Sequence, residues 1–138
     1  MRNLFFAVAI FAAAFSARAD DIPPSPIVKT QLVVNAASFK KGDTVWAGVQ
    51  FTMPEHWHIY WKNPGDSGLA TSYQWTLPEG VSAGEITWPT PERIETGGLV
   101  NYGYSNQVLL PVPLAIARDG AKGDVKVTAK WLVCKDIC

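Results

Sequence analysis

From Ile27 onward, apolar residues fall at every second position over one run after another. Val45, Ala47, Val49, Phe51 and Met53 fall on one side of such a run, with Trp46, Gly48, Gln50 and Thr52 on the other. A period of two is the signature of a half-buried strand, because successive side chains of extended backbone point to opposite faces. The alternation recurs in Val28-Thr30-Leu32-Val34, Trp57-Ile59-Trp61, Val108-Leu110-Val112-Leu114-Ile116 and Val125-Val127-Ala129-Trp131-Val133. Turn signals separate the runs: Lys41-Gly42-Asp43, Asn63-Pro64-Gly65-Asp66, Pro78-Glu79-Gly80, Gly97-Gly98 and Asp119-Gly120. No long stretch carries a helical period. Many short strands with frequent turns predict an all-β fold, an immunoglobulin-like sandwich, with a small barrel as the alternative.

Two segments refine this picture. Pro111 and Pro113 stand two apart, so both missing N–H groups would face the same neighbour, which predicts that their strand borders the sheet there. The stretch from Tyr73 to Asn106, including "WPTPERIETGGLVNYGYSN", holds no sustained period and reads as a long loop region around short strands.

The amino-terminal pattern is different. A short positive start, Met1-Arg2-Asn3, precedes the apolar run Leu4 to Phe15 and an A-x-A site at Ala17-Arg18-Ala19. The run is too short to span a bilayer, and the arrangement is that of a cleavable secretory signal, residues 1–19. Residues 20–26, "DDIPPSP", form a proline-rich leader, and residues 27–138 the domain. Loss of the signal takes away Arg2 and Arg18, which leaves the rest slightly acidic with no basic block. Nucleic acid is therefore not an expected partner.

Secretion permits disulfides, and the sequence has 2 cysteines, both in the closing "WLVCKDIC". A strand regular to its end places Cys134 opposite the core face of Val125 to Val133. Cys134 and Cys138 are four positions apart, about 13 Å in an extended strand, whereas a disulfide needs Cα atoms about 4.4–6.8 Å apart. The chain must turn through Lys135-Asp136-Ile137 for them to bridge. A loop this short gives roughly 2 kcal/mol in the chain-entropy model, against ~4.7 kcal/mol for a hundred-residue loop. It closes fast, which suits a reversible dithiol better than a structural staple. A structural disulfide and a metal-binding pair remain the other readings of the spacing.

The segments "HWHIYWKNPGDSGLATSYQWTLPEG", "ITWPTPERI", "YGYSNQVLLPV" and "WLVCKDIC" together resemble the amino-terminal periplasmic domain of the thiol:disulfide interchange protein DsbD family, and more closely its ScsB-like branch. The resemblance covers most of the chain after the signal. It implies a protein-disulfide reductase module of the immunoglobulin-like class, working in the periplasm without a cofactor. Cys134 and Cys138 would relay electrons from a thioredoxin-like domain to oxidised periplasmic proteins. It also implies a fragment: the full-length protein would be anchored in the inner membrane by a transmembrane domain absent here, and the sandwich would be incomplete at its carboxyl end. The Cys-x3-Cys spacing is that of the ScsB-like relatives, where DsbD proper has a wider one. A cap loop shields the disulfide in this family; its nearest equivalent is Leu99 to Tyr104, with Leu99, Tyr102 and Tyr104 as cap residues.

A reading from a different class is a periplasmic copper-binding or adaptor sandwich with a structural disulfide. Its site would be Met53, His56 and His58, thioether and imidazole being copper ligands, with the two histidines on one strand face. The tryptophans suggest a carbohydrate platform less well than a core, since Trp57 and Trp61 share an alternating face. Glu92 and Glu95 lack the partners that hydrolase chemistry needs.

Overall fold

The computed structural model describes residues 27–136. The predicted signal, the leader and Cys138 lie outside the described residues. Ten strands follow one another: β1 (Lys29–Val34), β2 (Thr44–Thr52), β3 (His58–Gly65), β4 (Ser72–Thr76), β5 (Val81–Ala83), β6 (Glu92–Thr96), β7 (Leu99–Ser105), β8 (Gln107–Ile116), β9 (Lys126–Lys130) and β10 (Val133–Cys134). No helix occurs among the described residues. The chain is an all-β, immunoglobulin-like sandwich.

One sheet has the order β1-β2-β8-β5, a second β10-β3-β7-β6, and β4 pairs with β9 in a third. All ladder pairs are antiparallel. The inner face of β2, with Val45, Ala47, Val49 and Phe51, is buried as its alternation predicts. Val108, Leu110, Val112, Leu114 and Ile116 of β8 lie beside it. Val49, Phe51, Val108 and Leu110 meet Ile59 and Tyr104 of the second sheet in one apolar cluster. The β4–β9 pair covers the rest through Tyr73, Trp75 and Val127. Each fully buried large side chain contributes about 1.5–3 kcal/mol relative to exposure, so this interior is what holds the two layers together.

The strand carrying Pro111 and Pro113 lies between β2 and β5. Pairing with β5 reaches only Leu114, so at the prolines the strand borders the sheet as expected, and there Pro113 and Pro111 accept hydrogen bonds from Gly84 and Thr87 through their carbonyls. The neighbour on that side asks for acceptors alone, so a strand without donors serves it. The structure departs from the sequence reading in three other places. The segment from Glu92 to Ser105 is a hairpin rather than a loop: β6 and β7 join at Gly97-Gly98, both at positive φ as a type I′ turn requires. Its first arm is a largely exposed edge strand, "ERIET", which has no apolar alternation to read. Asn63-Pro64-Gly65 is not a turn but the end of β3, with an irregularity against β7 between Tyr60 and Gly65. Finally, the last strand is broken. β9 ends at Lys130, and after Trp131-Leu132 the chain joins the second sheet as β10. Trp131 fills the crossing, its ring edge-on to Phe51 at 5.3 Å between centroids.

Candidate functional site

Because the chain changes sheets before it ends, Cys134 does not project into solvent as a regular strand would have it. It is buried, with 4% of its surface exposed, and it is disulfide-bonded. Its partner in the ladder is His58, the first residue of β3. Residues directly opposite in an antiparallel pair point to the same face with Cβ atoms about 4.5–5.5 Å apart. His58 and Cys134 accordingly line one cavity, of about 60 Å³, with Tyr60, Ser67, Thr96, Leu99, Asn101 and Asp136.

Alternation along β3 sends Ile59 into the apolar interior and His58 and Tyr60 into this cavity. The two side chains meet, His58 Nε2 lying 3.2 Å from the Tyr60 hydroxyl with the rings edge to face. The loop after β3 braces Tyr60. Gly68, at φ +98, lies against the ring so closely that a Cβ there would overlap it. The Ser67 N–H and hydroxyl both donate to Asn101 Oδ1, at 2.9 and 3.1 Å. Asp66 ties the same loop to β7: its N–H donates to the Val100 carbonyl and its carboxylate accepts from the Val100 N–H. Burial pushes His58 below 6.5 and Tyr60 above 10.0, so both are neutral at pH 7.

The residues expected to cap the disulfide divide between two faces. Leu99 lines the cavity, from the strand end beside the Gly97-Gly98 turn. Tyr102 and Tyr104 do not. They occupy the opposite face of β7, where Tyr102 packs on Trp61 and Tyr104 sits in the apolar cluster, its hydroxyl donating to the Pro89 carbonyl at 2.8 Å. The cause is that Leu99 to Tyr104 is strand, so odd and even positions part. Burial pushes the Tyr104 hydroxyl up to about 12. The aromatic residue beside the sulfur is Tyr60, which the sequence reading passed over; the period-two pair His58-x-Tyr60 was its signal, once β3 is set against Cys134.

The copper set is not brought together. Met53 packs in the apolar cluster with Ile59, on the side of β3 opposite His58. His56 is not on the strand at all: it lies in the turn before it at φ 69, largely exposed beside Glu55. Among the described residues no group of three His, Cys, Asp or Glu side chains is arranged to hold a metal ion.

The family model for the amino-terminal domain of the thiol:disulfide interchange protein DsbD matches residues 26–138. The chain belongs to this DsbD family. Cys134 and all the cavity residues fall inside the matched span, so the DsbD domain is the one that holds the buried sulfur. Among solved structures, the N-terminal periplasmic domain of ScsB from Proteus mirabilis is similar, with a TM-score of 0.61 and 20% sequence identity. The match takes in 85% of this chain and 44% of that one, so the chain spans less than half of the ScsB domain. No curated protein matches the chain. Membership places the chain in a thiol:disulfide interchange family, and no helix among the described residues is long and apolar enough to cross a membrane.

Proposed function

We propose that the chain is a periplasmic exchange module in which Cys134 and Cys138 cycle between dithiol and disulfide. A thioredoxin-like domain or protein reduces the pair, and oxidised periplasmic proteins reoxidise it, each transfer passing through a mixed disulfide. The observation that carries this reading is a disulfide-bonded cysteine set in a cavity at the margin of a rigid sandwich, within a span matched to an interchange family. No cofactor is needed, since the electrons move as sulfur bonds exchange. The reading includes secretion by the predicted signal and a longer protein held at the inner membrane.

The burial of Cys134 supports a different part for each sulfur. A protein partner cannot bring a thiolate to an atom as enclosed as the Cys134 sulfur without displacing the strand ends around it. On this reading Cys138 is the sulfur that partners attack, and Cys134 is the one that resolves the mixed disulfide. The test is trapping. The oxidised chain is mixed with a reduced thioredoxin-like protein that lacks its own second cysteine, and products are examined by mass spectrometry. A covalent adduct on Cys138 is expected; a folded chain that forms none with any such bait refutes the assignment.

A further inference from the structure

The outermost strand of a sheet presents a row of unpaired N–H and C=O groups, and proteins blunt such edges with charges, prolines, shortness or cover. The edges of this sandwich divide on that rule. β6 carries Glu92, Arg93 and Glu95, and β5 and β10 are only 3 and 2 residues long. β9 has a lysine at each end, and β4 beside it shows Ser72, Gln74 and Thr76 on its open face. β1, the outer strand of the first sheet, reads Lys29-Thr30-Gln31-Leu32-Val33-Val34, with its one charge at the start and no proline. Leu32 and Val34 are 37% and 41% exposed. They stand opposite Val49 and Ala47, whose side chains are buried, so they lie on the apolar inner face and are wet because the sheet ends there.

The register shows which backbone groups of β1 are open. Opposite residues of an antiparallel pair alternate between those that exchange both hydrogen bonds and those that exchange none. The Asn35 N–H donates to the Trp46 carbonyl at 3.0 Å, one step beyond the Val34–Ala47 pair. Val33, Gln31 and Lys29 therefore also turn their backbone groups toward β2, and Thr30, Leu32 and Val34 turn theirs away from the sheet. The prolines of β8 agree: they oppose Gly48 and Trp46, the β2 residues that face β1, where no donor is called for. The outward groups of Thr30, Leu32 and Val34 have no hydrogen-bond partner among the described residues.

We propose that β1 is a homodimer interface, pairing antiparallel with β1 of a second copy about a two-fold axis through Leu32. In this register Leu32 opposes its counterpart and Thr30 opposes Val34, so all the outward residues exchange both bonds. A shift of two positions either way leaves one of them unpaired in each copy. The axis sets inner face beside inner face, which brings the Leu32 side chains together. Lys29 falls opposite Asn35 of the second copy, so no like charges meet. The strand is thus complementary to itself in hydrogen bonding and in charge, and that is what favours a second copy over an unrelated strand. Such a strand is about 20 Å long. Pairing along it covers less than the about 800 Å² per partner of a standard interface, so the dimer is a weak one that forms with rising concentration. The cavity with Cys134 belongs to the other sheet and stays open in both copies.

Sedimentation equilibrium of the full chain from about 1 μM to about 1 mM should show the mass rising from one chain toward two. Over the same range, amide hydrogen exchange should slow about tenfold at Thr30, Leu32 and Val34 and stay within about twofold at Lys29, Gln31 and Val33, which β2 already protects. Leu32→Lys and Leu32→Glu each set like charges across the axis and should weaken association about tenfold, and an equimolar mixture of the two should recover it. A chain that stays monomeric to about 1 mM overturns the proposal, the edge then being left to a strand of some other protein. Association that survives both variants, or that their mixture does not restore, overturns it too, because the contact then does not pass through residue 32. Should the variants fail to fold, amide exchange in the parent decides alone: protection that does not alternate along β1, or does not depend on concentration, refutes the pairing. None of these outcomes touches the thiol chemistry proposed above, which the trapping experiment tests separately.

Discussion

Phe51 and Tyr60 are both almost wholly removed from water, at 0% and 1% exposure, yet they are held by different forces. Around Phe51 everything is apolar: Val49, Leu110, Ile59 and the ring of Trp131. Tyr60 instead meets the His58 ring nitrogen through its hydroxyl and Gly68 against its ring, in a cavity it shares with Asn101 and Cys134. Between them runs β3, with Ile59 facing one region and His58 and Tyr60 the other. The first region tolerates small misfits, because dispersion and burial are non-directional. The second depends on each donor finding its acceptor, since an unpaired buried polar group costs about 1–3 kcal/mol. The candidate site lies in the region whose burial is costly.

Substitutions on either side of β3 sharpen the contrast. Phe51→Ala should have the largest effect on stability, about 3–5 kcal/mol in a denaturant titration, through lost burial and the cavity left beside Trp131. Gly68→Ala should cost about 1–3 kcal/mol, from overpacking against the Tyr60 ring at a φ that L residues avoid. It should also change tyrosine absorbance, which Phe51→Ala should alter less. Asn101→Ala, which removes the acceptor of both Ser67 bonds, should cost about 1–2 kcal/mol and raise amide exchange in residues 66–68. A Phe51→Ala protein with full parental stability would overturn the account of the interior, and an Asn101→Ala protein with an unchanged loop that of the cavity.

The smallest effect is on pH dependence. Burial holds the folded-state pKa of His58 below 6.5, so the unfolded chain binds more protons in the interval between the two values. The contribution of His58 is complete above pH 6.5 and is lost as pH falls through the folded value. Unfolding free energy measured against pH should therefore slope downward below 6.5 in the parent chain and less steeply in His58→Gln. Identical slopes would show that burial of this ring is not felt in stability.

The strands of the interior were legible because one face of each is apolar and the other is not. That contrast is the physical cause of a period of two, and β2 and β8 show it at full strength. β6 was illegible for the converse reason: an exposed edge strand buries too little to leave a pattern, and only Gly97-Gly98 marked the hairpin. The break at Trp131-Leu132 was hidden by continuity. Alternation runs unbroken from Val125 to Val133 because each part faces the interior, while the neighbour in the ladder changes from β4 to β3, and side-chain pattern does not record pairing. That one change decides the surroundings of Cys134. The cysteine pair could be named from the sequence; its companions His58, Tyr60, Ser67 and Asn101 come from three separate segments and meet only through the β3–β7 and β3–β10 registers.

β10 is two residues long. So brief a strand has few amides to anchor it, and it is the part of the second sheet that can peel away most cheaply while the remainder stays folded. The sulfur that is hardest to reach in the closed molecule thus rides on the segment most readily lifted, and access to it becomes a matter of timing: a partner that lingers at the margin can wait for an opening that a passing one will miss.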